Sequence, residues 1–290
     1  FVLVGSCLAL LLLLSVVAPA QGQAPGPAPV EPAAPAAGFS ALGAVDDLLT
    51  ELHSAGFATA EGSLAFADLV KMCCEGKIPN TLANNPWPNA YLVAVLPPPV
   101  GVTYTLAVPW LFQLRADEAL VMVGNTPPAV RYYSYQTFAT SIPGLPGATG
   151  VAVGDTINIS TVNTLGPDRF NQPIVYILTA NRTTEQLVRA AVHAAAYPDE
   201  IVNVEPLAPV IAPPGYGPNG STYYLAHRAT VAESQETLNA YIKNPPYRVF
   251  RVTPSTPLAA DPEPVPVLRV QGTGHTEMDL FPAVRRLRQA

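Results

Sequence analysis

The chain has 290 residues, 49% of them hydrophobic and 12% charged, with a formal net charge of −6. It is apolar enough for a sizeable core and too charge-poor for a disordered polyelectrolyte. Phosphate binding needs clustered Lys and Arg, so nucleic acid is excluded as a partner.

Residues 1–20 carry no charged side chain, and their apolar run at 8–17 is closed by Ala18-Pro19-Ala20. A short apolar run ending in a small-x-small triplet reads as a secretory leader. A spanning helix needs about 20 apolar residues, and Pro19 cuts this run short. The expectation is an exported protein, secreted or held in the cell envelope or extracellular space. It would meet a membrane only through an uncleaved leader. The sequence begins at Phe1 with neither Met nor a basic flank, so a few residues are expected upstream. Cys7 precedes the apolar run and leaves with the leader. Residues 21–38 are almost all Ala, Pro and Gly and read as an extended spacer.

Two helices are expected next. Ser40 can cap the first, Leu42, Val45, Leu48, Leu49 and Leu52 form its apolar stripe, and Gly56 ends it. The second is expected over 61–75, with Phe66, Leu69, Val70 and Cys73 as its stripe and Gly76 as its stop. Cys73 and Cys74 are adjacent near its end. Their α-carbons stand closer than the usual disulfide range, and an intact helix points the two side chains apart. The plain reading is two small buried hydrophobes. A strained vicinal disulfide or an intermolecular bridge is the redox alternative.

From residue 90 the pattern turns to β. Strands are expected at 91–96, 104–113, 119–124, 129–140 and within 151–161, with a turn at 125–128. In the second half, a strand at 173–180, a helix capped by Thr183 with Gln186 completing a capping box, and a strand at 200–206 form one unit. A strand at 222–230, a helix at 232–243 and a strand at 247–253 repeat the order. Two strand-helix-strand units in series are the order of a ferredoxin-like βαββαβ fold. A Pro-rich coil, a short strand at 267–271 and a helix capped by Asp279 close the chain. Its Arg285, Arg286 and Arg288 suit the negative end of the helix dipole.

The expected class is therefore α+β: a mainly antiparallel sheet or sandwich with two small N-terminal helices, then a ferredoxin-like half and a C-terminal helix. The divisions are a leader (1–20), a spacer (21–38), a helix pair with a β region (39–166), a ferredoxin-like region (167–256) and a tail (257–290).

The strand Arg131-Tyr132-Tyr133-Ser134-Tyr135-Gln136 stands out. Alternation sets Arg131, Tyr133, Tyr135 and Thr137 on one face and Val130, Tyr132, Ser134, Gln136 and Phe138 on the other. The first face is the candidate wet aromatic row for a small molecule, glycan or peptide. Ordinary strand composition is the competing reading and ranks ahead of it. If the row is wet, replacing Tyr133 and Tyr135 by Ala removes binding and leaves the melting temperature nearly unchanged.

That R-Y-Y-S-x-Q strand, preceded by the apolar strand and turn of 119–128, resembles secreted bacterial proteins of unknown function. The later strand-turn-helix of 174–197 is similar too. The resemblance implies an envelope or extracellular β-rich protein and no catalytic residue.

His275, Glu277 and Asp279 would share a face if extended, and could hold a metal or do acid–base work. A glycine turn leading into a helix capped by Asp279 explains the same residues more simply. His53, His193 and His227 stand alone. No GxSxG, HExxH, Walker loop or GxGxxG is present, and no cofactor is expected. Sequons at Asn158, Asn181 and Asn219 matter if the source is eukaryotic.

The leading expectation is an exported non-catalytic binding or envelope module that takes a small molecule, a glycan or an extracellular protein. The alternatives are a secreted hydrolase or metal-dependent enzyme built on His275, Glu277 and Asp279, and a structural cell-wall protein.

Overall fold

A computed structural model describes residues 39–76, 90–99, 101–102, 106–146 and 150–267, with single residues at 282, 285, 286 and 289. The leader, the spacer and, apart from those four residues, the tail beyond 267 lie outside the described residues.

In chain order, a 3-10 turn at Leu42–Ala44 leads into α1 (Val45–Ser54), β1 (Phe57–Glu61), β2 (Ser63–Phe66) and α2 (Leu69–Cys74). Next come β3 (Ala90–Val95), β4 (Ala119–Asn125), β5 (Val130–Ser141), β6 (Val151–Ala152) and β7 (Ile157–Asn158). Then follow β8 (Pro173–Thr179), α3 (Arg182–Ala194), β9 (Val202–Pro206), β10 (Thr222–Ala232), α4 (Gln235–Lys243) and β11 (Tyr247–Pro254). The class is α+β, with mostly antiparallel pairing and few helices.

The strands form two sheets. The inner sheet runs β1-β11-β4-β8-β9, antiparallel except for the parallel β8–β9 pair. The outer sheet runs β2-β3-β10-β5-β6, with β7 also on β5. The inner sheet is covered on both faces, so its strands read as unbroken apolar runs rather than alternating ones. Val121, Val123, Val175, Ile177, Phe250 and Val252 pack under α1 and α3, against Leu48, Leu52, Val188 and Val192. Leu120, Met122, Tyr176, Leu178 and Val249 face the other way, against Leu92, Tyr133, Tyr135, Tyr223 and Leu225 of the outer sheet. The order of layers is helices, inner sheet, outer sheet.

Helix ends are set locally. Ser40 Oγ accepts the N–H of Gly43, and Gly56 ends α1 at φ +86°. The N-cap of α3 is Asn181, not Thr183: its side chain accepts the Thr184 N–H at 3.0 Å. Asn is among the preferred caps, and the cap lies two residues before the expected capping box. At the other end, the N–H of Tyr197 reaches Val192 O and that of Ala196 reaches His193 O. Ala196 takes φ +61° in this Schellman-type end, where Gly is usual. Tyr197 then folds back and donates to Ala41 O at 2.6 Å, tying the end of α3 to the start of α1.

The expected helix over 61–75 is corrected to a bent strand pair and a six-residue α2. Backbone pairing overrides the local pattern here. Residues 57–61 complete the edge of the inner sheet beside β11, and 63–66 cross to the outer sheet beside β3. The chain turns this corner at Gly62, whose N–H donates to Val249 O at 2.8 Å. A Cβ at this position would overlap the carbonyl oxygen of Val95. The expected strand at 104–113 is also corrected. Among its described residues, 106–113, only Phe112 forms a bridge, to Tyr223.

The ferredoxin-like half does not close. β8, α3 and β9 make a parallel unit, but β10 joins the outer sheet along β5 and β3, while β11 returns to the inner sheet beside β4. The strand-helix-strand order was readable in the chain; the sheet each strand enters was not. Both sheets combine strands from 39–166 with strands from 167–256.

Gly62→Ala is expected to destabilise the protein by about 3 kcal/mol, the upper range for overpacking, because backbone rather than a movable side chain fills the space. Urea unfolding of the variant measures it, and a loss under about 0.5 kcal/mol, the level of a surface change, would refute the corner constraint.

Candidate functional site

The face of β5 expected to be a wet aromatic row is turned into the core. Tyr133, Tyr135 and Thr137 are each 0% exposed, and only Arg131 reaches solvent. This corrects the reading of an open tyrosine surface. Alternation defines two faces but not which one meets water, and here the inner sheet covers this one. Tyr133 Oη donates to Arg169 O at 2.6 Å, and Thr137 Oγ1 lies 3.2 Å from Tyr176 Oη. Near Arg131 the alternation breaks. Val231 takes φ +57°, the pairing passes from Thr230–Tyr132 to Ala232–Val130, and Val130 is buried.

Beside this row lies a chain of four buried rings. Tyr135 stacks on His227 with centroids 4.4 Å apart and planes at 10°. Tyr135 Oη is 2.6 Å from Tyr247 Oη, Tyr247 Oη is 2.9 Å from Tyr241 Oη, and Tyr241 Oη is 2.8 Å from His227 Nε2. His227 Nδ1 faces Ser134 O at 3.0 Å. A carbonyl only accepts, so a neutral ring carries its proton on Nδ1 and accepts from Tyr241 at Nε2. Burial holds the imidazole at a pKa of about 4, against the partial counter-effect of the Ser134 carbonyl. Burial, first, and the neighbouring hydroxyls push Tyr135, Tyr241 and Tyr247 well above their ordinary range. The four groups are neutral over the physiological range and act as a polar fastening between the sheets. His227 stands alone in the sequence; only strand pairing places it opposite Tyr135.

Two buried carboxylates were likewise not legible as sites. Glu205 on β9 accepts from both the Thr137 N–H and Gln136 Nε2, at 3.1 and 2.9 Å, and also from the Tyr176 hydroxyl. It fills the gap between β6 and β7, where the edge of β5 turned away from β10 has no strand partner at Thr137. Burial raises its pKa, and the bonds from Thr137 and Tyr176 oppose that. Glu118 pairs with Arg251 at 2.8 Å, with side chains 0% and 1% exposed. It also accepts the Arg115 N–H, Thr253 Oγ1 and the Tyr216 hydroxyl. Arg251 donates to Pro97 O and Gln113 O. Both carboxylates are saturated by protein donors, so they serve as fasteners of loops and strands.

The opposite face of the outer sheet has a different character. Arg228 on β10 stands directly opposite Tyr91 of β3 and Ser134 of β5. Its guanidinium carbon lies 5.8 Å from the Tyr91 ring centre and 5.9 Å from that of Tyr132. Its Nε is buried and has no hydrogen-bond partner. Among the described residues Arg228 forms no ion pair. Further along the same face, Phe138 and Tyr224 stack with centroids 5.0 Å apart and planes at 17°. Burial and the adjacent Tyr91 push the Tyr224 hydroxyl up to about 12. Tyr91, Tyr132, Phe138, Tyr224 and Arg228 are all half-buried. The geometry offers flat rings around an unpaired cation.

The remaining sequence candidates fall apart in space or lie outside the described residues. His275, Glu277 and Asp279 are outside. Cys73 is half-buried, Cys74 is exposed, and both thiols are free. Asn181 is 2% exposed with its amide donating to Ala259 O, Asn158 is half-buried, and Asn219 is exposed. His53 meets Thr59, and His193 meets Asp199, both at the surface. Among the described residues no group of three His, Cys, Asp or Glu stands together as a metal site. A shallow recess of about 540 Å³ between β2 and α4 is lined by Leu64, Phe66, Ile242 and Lys243, with no residue of β5. No described helix is long and apolar enough to cross a membrane.

No family model matches the chain, and no curated protein matches it. Among solved structures, it is similar in part to an uncharacterized protein from Burkholderia cenocepacia. The identity is 14% and the TM-score 0.34, over 66% of this chain and 35% of that one.

Two outcomes follow from the buried face. Tyr133→Ala and Tyr135→Ala should each cost about 3–5 kcal/mol, the range for removing a core aromatic. They should combine non-additively, because the rings touch at a centroid distance of 6.1 Å. A double variant with an unchanged melting temperature would refute their place in the core. Stability should also fall as pH drops from 6.5 to about 4, where the unfolded chain protonates His227 and the folded chain does not. The loss is about 3 kcal/mol on that shift. Glu205 acts with the opposite sign, losing stability as pH rises above 4.5. Comparing the pH dependence of unfolding in wild type and His227→Gln isolates the imidazole, and the variant should lose that slope.

Proposed function

We propose that this chain is an exported, non-catalytic binding module whose contact surface is the outward face of the outer sheet. The ligand is a small flat molecule, either a free ring compound or a terminal sugar. Export rests on the character of residues 1–20. The contact surface rests on one observation: Arg228 is held between Tyr91 and Tyr132 with no acidic partner and an unbonded Nε. Aromatic rings give a ligand a flat apolar bed with polar edges, and an Arg without an internal acceptor is an unused donor set. The stacked Phe138–Tyr224 pair extends the same surface along β5 and β10. On this reading Tyr132 and Phe138, on the face opposite the one expected from the sequence, make contact, and Tyr133 and Tyr135 support them from beneath.

The test is a protein-observed NMR screen of the full chain against a library of small neutral and charged ring compounds. Hits should shift the signals of Tyr91, Tyr132, Phe138 and Tyr224, and Tyr132→Ala should abolish them. The stability cost of Tyr132→Ala should be about 1 kcal/mol, as for a partly exposed position. Hits confined to the recess between β2 and α4, or no hits, would overturn the proposal.

A further inference from the structure

We infer that the Arg228 site takes an oxyanion, and that its ligand is a ring compound bearing a carboxylate. The inference rests on the proposed binding face and narrows its ligand class. Arginine keeps its charge at any pH the folded protein meets. In five other described arginines that charge is answered by a carboxylate. Arg251 pairs with Glu118, Arg248 with Glu61 and Asp46, Arg115 with Asp117, Arg182 with Asp261, and Arg189 with Glu185 and Asp199. Arg169 donates to Val162 O and Thr164 Oγ1. Arg131 is exposed to water. Arg228 is half-buried with no carboxylate among the described residues.

The side chain is not idle. Tyr91 and Tyr132 hold the guanidinium from neighbouring strands, which fixes its orientation and lowers the entropy lost on binding. Fixed, unpaired N–H groups in a fork match a planar carboxylate through two parallel hydrogen bonds. The Arg228 Nε is buried and has no acceptor among the described residues. The flanking tyrosines give the ring attached to that carboxylate an apolar wall. Net charge argues the same way: in a chain of formal charge −6, a lone cation on an aromatic face is a local exception that an anion would select.

Three probes separate the parts: benzoate, benzyl alcohol and acetate, each titrated into the full chain with the Arg228 Nε–H and the Tyr132 amide followed by NMR. Benzoate should move both signals and bind at least about tenfold tighter than benzyl alcohol, as expected for a charge-assisted bidentate pair. Acetate should move the Nε–H alone and more weakly. Arg228→Gln should remove benzoate's advantage over benzyl alcohol. Arg228→Lys, which keeps the charge and loses the fork, should retain part of it; this covers a Gln variant that fails to fold. Equal binding of benzoate and benzyl alcohol on this face would overturn the oxyanion inference and leave the binding face intact. Absence of any shift at Tyr91, Tyr132 and Arg228 with all three probes would overturn both.

Discussion

The inner sheet has no face left for water. α1 and α3 cover one side and the outer sheet covers the other, so every side chain of β4 and β8 except the end residues Asn125 and Pro173 is buried. The rest of the structure answers to that constraint. It demands unbroken apolar runs in the central strands. It forces each polar group that enters the layer between the sheets to find a partner there, since an unpaired buried group costs more than a hydrogen bond returns. It also buries the Tyr133–Tyr135 side of the outer sheet.

The polar groups between the sheets meet that demand in three places. At one end, Arg251 and Glu118 neutralise each other, and the carbonyls of Pro97 and Gln113 take the remaining guanidinium donors. In the middle, Glu205 crosses from the inner sheet to cap the backbone N–H of Thr137. Next to it the Tyr135–Tyr247–Tyr241–His227 chain links β5, β11, α4 and β10. Buried ion pairs add little net stability over apolar packing but are costly to break singly. Their effect is to fix which loop lies against which strand. Arg228 differs because it lies on the far side of the outer sheet, outside this saturated layer.

Much of the local structure was legible. The apolar runs at 119–124 and 173–180, the stripe Leu187, Val188, Ala191 and Val192, and the tyrosine-rich strand near residue 132 all form the expected elements, with ends shifted by a few residues. These segments follow short-range rules of periodicity and capping. The misreadings came where a distant strand outweighed them. Residues 61–66 look helical in isolation, yet β11 and β3 recruit them with 57–60 as sheet edges around Gly62. β10 and β11 look like halves of one unit, yet they enter different sheets. Of the proposed contact face the sequence offers residue types only: the strand at 131–138 stands out by its tyrosines, but Tyr91 and Arg228 lie far from it in sequence and carry no motif.

By itself the sequence determined an α+β chain with mainly antiparallel strands, the position of most elements and the two possible faces of β5, because alternation, helical period and turn residues act over a few neighbours. Only the tertiary structure decided which face of β5 is dry, which sheet each strand of the second half joins, and that His227, Glu205 and Glu118 are fasteners. Those outcomes depend on pairing between residues up to a hundred or more positions apart, such as Gln113 with Gly217 or Arg251 with Glu118. No local pattern records that pairing, since the same alternation would serve either face equally well.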